Sequence, residues 1–136
     1  MALELVVVTP EGEAFAEPVE QVVLPGEAGR FGVLESHERF LTPLVRGPMQ
    51  ILRGGGRSEW AAISSGFAEV DGQKVVVLVD GCALASEIDR AATESLRAET
   101  AHALAALPDT PENAGERLRL SEVLAKAELE VEVAGL

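Results

Sequence analysis

The side chains in this sequence that could carry out catalysis or bind a metal are Cys82, His37, His102 and a surplus of carboxylates. Cys82 follows a long apolar run, where a half-buried thiol is usually inert. His102 lies among alanines on the surface of a predicted helix, which is typical of a solvated residue. One cysteine cannot form an internal disulfide, and no cysteine and histidine cluster has the spacing of zinc ligands. These residues predict neither a catalytic site nor a metal site, and an independent enzyme is the least supported function.

Gly26, Gly29 and Gly32 are spaced closely enough to suggest a phosphate-binding loop, but the rest of that motif is missing. No Gly-Lys-Ser/Thr follows them, and the next predicted element is not a helix. We therefore expect these glycines to shape a tight loop.

The elements that must position these residues divide the chain near Leu84. Residues 1–84 contain all four Phe, the Trp and eleven of the thirteen Gly, a composition typical of strands joined by frequent turns. Leu3, Leu5 and Val7 share one strand face, and further strands are predicted at residues 19–24, 49–52, 58–63, 66–70 and 74–80. Gly54-Gly55-Gly56 and Asp71-Gly72 are predicted to close two hairpins.

Residues 85–136 are dominated by Ala, Leu and Glu and are predicted to be helical. Ser86 and Asp89 form an approximate capping box for a first helix, which Pro108 ends, and Thr110 with Pro111 begins a second. The predicted inward stripes are Ile88, Ala92, Leu96, Ala103 and Leu107 on the first helix, and Leu120, Leu124, Ala127 and Val131 on the second. The predicted fold is an N-terminal antiparallel β-sandwich, residues 1–84, followed by a C-terminal antiparallel two-helix hairpin, residues 85–136.

Composition excludes several classes of function. The 136 residues are 47% hydrophobic and carry a net charge of -12, so a folded core is expected and a basic surface for nucleic acid is not. The longest apolar runs, residues 5–8 and 75–79, are far shorter than the roughly 20 residues of a membrane-spanning helix. The first residues lack the basic start of a signal peptide. We expect a soluble protein in a reducing, intracellular compartment.

Residues 25–44 combine glycines, charges and aromatic rings, and here the sequence resembles the epsilon subunit of F-type ATP synthases, called delta in mitochondria. That family carries a Gly-Glu-x-Gly-(Ile/Val)-x-x-Gly-His-x-Pro-Leu-Leu-Thr stretch at this place. The positions that match it are Gly29, Gly32, Val33, His37, Leu41 and Thr42. Residues 3–10, 63–70 and 75–80 also resemble the family's strands, in the same order and at the same spacing. The resemblance covers essentially the whole chain.

The resemblance implies a non-catalytic rotor subunit that couples the membrane rotor ring to the gamma subunit and the catalytic head. It places the sandwich on gamma and on the ring, with a helical hairpin that can move and reach the alpha and beta subunits. It implies no cofactor, no metal, no nucleic acid and no membrane insertion, and a peripheral location on the cytoplasmic face of the bacterial inner membrane. The partner-binding candidates are Arg30, Phe31, His37 and Glu38. Two of them have a second interpretation: Arg30 as a solvated residue at a turn, and His37 as a hydrogen bonder that braces the loop, which is the favoured role for His37.

Two departures from the family pattern concern ligands and partners. Arg30 replaces an acidic residue of the loop, so it is expected to prefer an acidic or carbonyl-lined partner on the ring. Some bacterial members bind ATP through an (Ile/Leu)-Asp-x-x-Arg-Ala motif, which leaves Ile88 and Asp89 as the nucleotide candidates. Ala92 stands where that motif has Arg, which argues against ATP binding and favours Asp89 as an acid in the first helical turn.

The last helix is acidic where some members of the family are basic. In those members, basic side chains of this helix dock on an acidic region of the beta subunit and inhibit ATP hydrolysis. Residues 120–136 contain one Lys against four Glu, with Arg117 and Arg119 just before them. Electrostatics therefore predicts weak or absent inhibition. The alternative function is a free-standing two-domain regulatory module that binds a protein or a small ligand.

Overall fold

The computed structural model describes residues 3–136 of the chain, apart from the side chain of His37. The chain divides into two compact units, one ending at Ala85 and the other comprising Ser86–Leu136. Ten strands make up the first unit: β1 (Leu3–Thr9), β2 (Gly12–Val19), β3 (Gln21–Gly26), β4 (Gly29–Leu34), β5 (His37–Leu44), β6 (Gly47–Gly54), β7 (Arg57–Ile63), β8 (Gly66–Gly72), β9 (Lys74–Val79) and β10 (Cys82–Leu84).

The strands form one sheet in the order β10-β7-β6-β3-β5-β8-β9-β1-β2, and β4 pairs with β3 off this path. Neighbouring strands run antiparallel, except that β1 and β9 are parallel, with Leu5 opposite Val75 and Val7 opposite Val77. The inward side chains alternate along the strands, as expected for a pleated sheet with one buried face. They form a single core cluster to which all strands from β1 to β9 contribute.

Arg53 on β6 shows how the sheet closes on itself. Its guanidinium bonds to Glu17 on β2, at the far end of the strand order, and to Glu59 on neighbouring β7 at 2.6 Å. It also lies 5.5 Å from the centre of the Phe15 ring on β2. The hydrogen bonds to Glu59 and Glu17 raise the pKa of Arg53, against the opposing effect of partial burial. The end strand therefore returns to the middle of the sheet, and the two layers enclose the core.

The second unit contains α1 (Arg90–Ala106) and α2 (Ala114–Ala134), preceded by short 3-10 turns at Ala85–Glu87 and Pro111–Asn113. Asp89 is the N-cap of α1, and its carboxylate accepts a hydrogen bond from the Ala92 amide at 3.1 Å. Pro111 begins the turn that continues into α2, and Thr110 precedes it, as predicted. The predicted role of Ser86 as a cap was wrong, because Ser86 lies in the 3-10 turn and α1 begins later.

The inward face of α1 differs from the predicted stripe. Ala92, Leu96 and Ala103 are exposed, Leu96 by 46%. Ile88 and Leu107, on either side of α1, are half-buried as predicted. Within α1 the inward positions include Thr93, Arg97, Thr100 and Leu104. Thr93, Arg97 and Leu104 each follow a predicted position by one residue, which is a rotation of about 100°. The α2 stripe was predicted in part: Ala127 is buried and Leu120, Leu124 and Val131 are half-buried, but the buried Leu129 and Val133 were not predicted. The fold class, a β-sandwich followed by a two-helix element, is confirmed, with the parallel β1–β9 pair as the exception to the predicted antiparallel sheet.

Candidate partner-binding surfaces

The side chains that could do chemistry lie on separate elements. Cys82 is half-buried in β10, where it pairs with Ile63. His102 is exposed on α1, and His37 begins β5, with its backbone opposite Gly72. Within residues 3–136 as described, no group of three or more His, Cys, Asp or Glu side chains could hold a metal ion. Cys82, His37 and His102 thus belong to three different elements, β10, β5 and α1.

Gly26 and Gly29 flank a tight turn, as predicted, but Gly32 lies within a strand and most of residues 25–44 form strands. Arg30 and Phe31 lie on β4 and Glu38 lies on β5, and turns at 27–28 and 35–36 join the three strands β3, β4 and β5. Gly29 ends the first turn with φ 129°, a conformation that glycine adopts readily. The strands β4 and β5 were not predicted from the sequence. Their charged residues do not alternate regularly with apolar residues, and the glycines nearby indicate turns.

Arg30 lies on the outward face of β4 and covers the ring of Trp60 on β7. The guanidinium carbon is 5.3 Å from the ring centre, within the range of a cation–π contact. Arg30 is exposed and Trp60 is half-buried, so one face of the guanidinium remains open to a partner. Trp60 is the single Trp of the chain, so its fluorescence is sensitive to changes at Arg30.

Phe31 faces the opposite side of β4 and packs against the core cluster. Its ring meets Phe40 on β5 edge to face, with 5.7 Å between the ring centres. A Cβ atom at Gly26 would lie 2.8 Å from the Phe31 ring, so the glycine leaves room for it. Arg30 and Phe31 consequently lie on opposite faces of β4. The half-buried ring of Phe31 packs between β4 and β5.

The turn that leads to His37 and Glu38 is tight. Ser36 has φ 67°, the left-handed region that favours glycine, and its amide donates to the Gly72 carbonyl. The register of β5 on β8 shifts between His37 and Phe40, so Glu38 lies in a bulge and is exposed. The His37 side chain lies outside the described part of the structure, and the prediction of its partner contact rests on the resemblance.

The outer face of the sheet carries apolar side chains that sequence reasoning did not identify. Val8, Leu78, Phe67 and Pro43 stand opposite one another on β1, β9, β8 and β5, and Leu41 lies two residues before Pro43 on the same face. Leu41 is 67% exposed, Phe67 51% and Leu78 44%. We call Val8, Leu41, Pro43, Phe67 and Leu78 the apolar patch.

An open groove of about 710 Å³ lies at one end of the apolar patch and is lined by four of its five members. Exposed Glu69 and Asp80 lie beside the patch, which therefore has the apolar centre and charged border of a protein contact surface. The sequence did contain a signal for this patch. A strand with one buried face should alternate apolar and polar residues, but here outward Leu78 directly follows inward Val77, so both faces are apolar.

The nucleotide candidates have local roles. The Asp89 carboxylate accepts from the Ala92 amide and caps α1, and Ile88 precedes it, half-buried. Ala92 is exposed where the nucleotide motif would place a cation.

The basic side chains next to the acidic end of α2 have partners within the second unit. Arg117 donates to the Leu107 carbonyl at 2.6 Å, and Arg119 pairs with Glu116 on the same helix at 2.6 Å. The paired Arg119 lowers the pKa of Glu116 through its hydrogen bonds. Glu122, Glu128 and Glu132 are exposed. The exposed part of α2 is therefore predominantly negative.

The chain is similar to ATP synthase epsilon chains along its whole length. The sequence model of a family described as ATP synthase, Delta/Epsilon chain, beta-sandwich domain matches residues 2–85. The ATP synthase epsilon chain of Prochlorococcus marinus is 33% identical over 135 residues, and the alignment covers 99% of each chain. The ATP synthase epsilon chain of Prochloron didemni is 37% identical over 139 residues, covering 99% of this chain and 98% of the relative.

Solved structures share the fold. A chain of the Euglena gracilis mitochondrial ATP synthase, OSCP/F1/c-ring, aligns with a TM-score of 0.67 and 20% identity, covering 98% of this chain and 78% of that chain. A chain of the Tetrahymena thermophila mitochondrial ATP synthase central stalk and c-ring aligns with a TM-score of 0.56 and 12% identity, covering 98% and 97%. The curated relatives extend the match beyond the sandwich, through the helical hairpin.

Proposed function

We infer the function of this chain from one premise: it belongs to the ATP synthase epsilon chain family. It is accordingly a non-catalytic subunit of an F-type ATP synthase. We propose that it works in the central stalk of a proton-translocating enzyme, where it couples the membrane rotor ring to the gamma subunit and the catalytic head. The full-length match to epsilon chains carries this proposal, because it includes both the sandwich and the hairpin.

The apolar patch is the surface that we propose for gamma. The ring presents polar loops to this subunit, as the resemblance implies, so an apolar face suits the other partner better. Leu41 and Phe67 lie on two adjacent strands and would lose their exposed area together on one docked surface. A patch of this kind on a monomer marks a protein contact surface.

Charge introduced into the patch tests this contact. Phe67→Glu should weaken copurification with coexpressed gamma at least tenfold, because a carboxylate would be buried without a partner. The matched control is Leu118→Glu, which adds the same charge at a leucine that is 64% exposed on α2. Equal gamma binding by the two variants would rule out the patch as the contact.

The β3–β4 turn and Arg30 are the contact that we propose for the ring. Arg30 is exposed and held over Trp60, so it can present its charge to an acidic or carbonyl-lined loop. Arg30→Glu should weaken assembly with the cognate ring, whereas Arg57→Glu, at an exposed position in the β6–β7 hairpin, should not. Unchanged ring binding by Arg30→Glu would contradict the proposal, and circular dichroism shows whether the fold is kept.

We also propose that the hairpin inhibits ATP hydrolysis weakly or not at all. The exposed acids of α2 oppose docking on an acidic region of the head, and Arg117 and Arg119 are engaged within the unit. Hydrolysis by the assembled head should therefore change little when the chain is truncated after Leu84. Strong activation on truncation would contradict this.

Nucleotide binding is not part of the proposed function. The candidate carboxylate of Asp89 is used to cap α1, and no cation stands at Ala92. Equilibrium dialysis should detect no saturable ATP binding at physiological concentrations, and saturable binding would overturn this negative expectation.

We propose a peripheral location on the cytoplasmic face of the bacterial plasma membrane, as part of the complex. Across the described residues 3–136, neither helix has the length and apolar character needed to span a bilayer. Attachment would therefore be through the partner subunits, and washing membranes free of the catalytic head and central stalk should release this chain with them.

A further inference from the structure

β4 (Gly29–Leu34) has one open edge. The strand pairs with β3 along its whole length, and among residues 3–136 as described it pairs with no other strand. Gly32 lies in the middle of β4 and is exposed. Glycine has no side chain, so the exposed atoms belong to the backbone, and the side-chain amide of Gln21 occupies the space above Gly32 on the outer face. The exposure of Gly32 is therefore at the strand edge.

The backbone groups that face this open edge follow from the pairing with β3. Pro25 turns its carbonyl away from β4, where it accepts a hydrogen bond from the Val45 amide at 2.9 Å. In an antiparallel ladder, successive residues point their backbone groups to opposite sides of the strand. Arg30 lies opposite Pro25 and thus directs its amide and carbonyl to the open side. Gly32 and Leu34 follow at alternate positions and do the same.

β4 lacks the features that usually protect an edge strand from pairing with another chain, which are proline, a bulge, charged side chains or short length. β2, another end strand, has Pro18 and two glutamates and is joined to β1 across a bulge, and β10 has only three residues. β4 has no proline, no acid and a regular register with β3. Its one charged residue, Arg30, is held over the ring of Trp60 on β7. Since β7 lies beyond β3 and β6, the guanidinium is directed away from the open edge.

The sequence of β4 is complementary to itself. When two copies pair antiparallel about Gly32, Arg30 of each copy lies opposite Leu34 of the other, and no like charges are opposed. All three open residues of each copy are then paired, which gives about six backbone hydrogen bonds between the copies. Because the chain carries a net charge of -12, an edge without acids also brings two copies together with little local repulsion.

We propose that β4 is a self-association edge, through which two copies of the free chain pair antiparallel and form one continuous sheet across a two-fold axis at Gly32. The edge offers backbone hydrogen bonds and few apolar side chains, so the dimer is weak and reversible, at the low end of interface sizes. This pairing goes beyond the proposed stalk role. It is a property of the free chain and does not depend on assembly with gamma or the ring.

Sedimentation equilibrium of the full-length chain tests the association. The average mass should rise from that of the monomer toward that of the dimer between about 10 and 500 µM, as expected for a weak interface. Leu34→Pro removes one open amide of each copy, and edge strands accept proline where the amide faces solvent. The control Leu34→Ala shortens the same side chain and keeps the amide. The dissociation constant of Leu34→Pro should exceed that of Leu34→Ala at least about fivefold, because each dimer loses two hydrogen bonds.

Disulfide cross-linking tests the register of the two strands. Arg30→Cys and Leu34→Cys are prepared separately, each combined with Cys82→Ala to remove the native thiol. Opposed residues in this register have Cα atoms about 5.5 Å apart, within the range that a disulfide spans. The two copies of one position are about 13 Å apart along the strands, too far for a disulfide. A mixture of the two variants should therefore cross-link at least about tenfold faster than either variant alone.

Either measurement can overturn the proposal. A chain that stays monomeric at the highest concentration would do so, and so would equal cross-linking of the mixture and the separate variants. A monomeric chain whose Leu34→Pro variant loses copurification with gamma or the ring, while Leu34→Ala keeps it, would assign the edge to a partner subunit instead of a second copy. Circular dichroism shows whether the proline variant is folded, and the cross-linking result does not depend on that variant.

Discussion

Replacing Gly66 with alanine is the sharpest test of how the sandwich is built. Gly66 begins β8, between Leu44 on β5 and Val79 on β9, in the Ser-Ser-Gly-Phe segment that resembles the family's strand. A Cβ atom there would lie 2.9 Å from the Leu78 carbonyl carbon, closer still to its oxygen, and 3.0 Å from the Val79 Cα. These are backbone atoms, so no side-chain rotation can relieve the contact.

The size of the effect follows from what must move. β8 and β9 would have to separate at Gly66 and Val79, which disrupts backbone hydrogen bonds at the edge of the core. A lost hydrogen bond removes about 0.5–1.5 kcal/mol, and a buried backbone group left without a partner adds about 1–3 kcal/mol. Gly66→Ala should therefore lower the free energy of unfolding by about 2–4 kcal/mol.

The assay is urea unfolding followed by Trp60 fluorescence, which reports on the sandwich because the chain has a single Trp. The matched control is Gly81→Ala, since a Cβ atom at Gly81 would meet nothing within 4 Å. The control should unfold within about 0.5 kcal/mol of wild type. Equal urea midpoints for the two variants would refute the account of this strand pair.

Three further predictions concern stability. Ser36→Gly should raise the unfolding free energy by about 0.5–1 kcal/mol, because Ser36 is held at φ 67° and the strain outweighs the greater freedom of unfolded glycine; a lower urea midpoint would contradict this. Arg53→Met should lower it by about 1–2 kcal/mol by removing the hydrogen bonds to Glu17 and Glu59, and no change in urea unfolding would show that the sheet closes without them. Hydrogen bonds from Arg97 lower the pKa of Glu94, so the stability that Glu94 contributes is present above its ordinary pKa and is lost as the pH falls through its lowered value. The difference in helix melting between wild type and Glu94→Gln, measured by circular dichroism, should be seen at pH 7 and absent at about pH 2; a difference that persists in acid would exclude the ion pair as its cause.

Local signals made much of this fold predictable. Asp71-Gly72 indicated the β8–β9 hairpin, and Gly54-Gly55-Gly56 indicated the β6–β7 hairpin. These residues adopt the backbone conformations of tight hairpin turns readily. The Pro108 to Pro111 segment marked the break between the helices, since proline ends one helix and begins another.

Features that depend on distant partners could not be predicted. The parallel pairing of β1 with β9 joins segments some 70 residues apart, and nothing in either strand specifies its neighbour. The rotation of α1 had the same origin. Alanine gives an apolar stripe little contrast, so packing against α2 determines the buried face.

The candidate surfaces were predictable only in part. Residues 30 and 31 were both expected to contact partners, but strand alternation places Arg30 outward over Trp60 and Phe31 inward on the core. The apolar patch was missed because its members come from four strands whose order is set by the tertiary fold. Arg117 gave no signal in the sequence beyond its charge, since its partners are backbone carbonyls.

The central claim is that this chain is a rotor subunit of an ATP synthase, and copurification tests it most directly. Tagged full-length protein, isolated from detergent-solubilised membranes of its own host, should bring down the gamma subunit together with ATPase activity, and Phe67→Glu should reduce both. Recovery of the tagged chain with neither gamma nor ATPase activity would contradict the claim and favour a free-standing regulatory module.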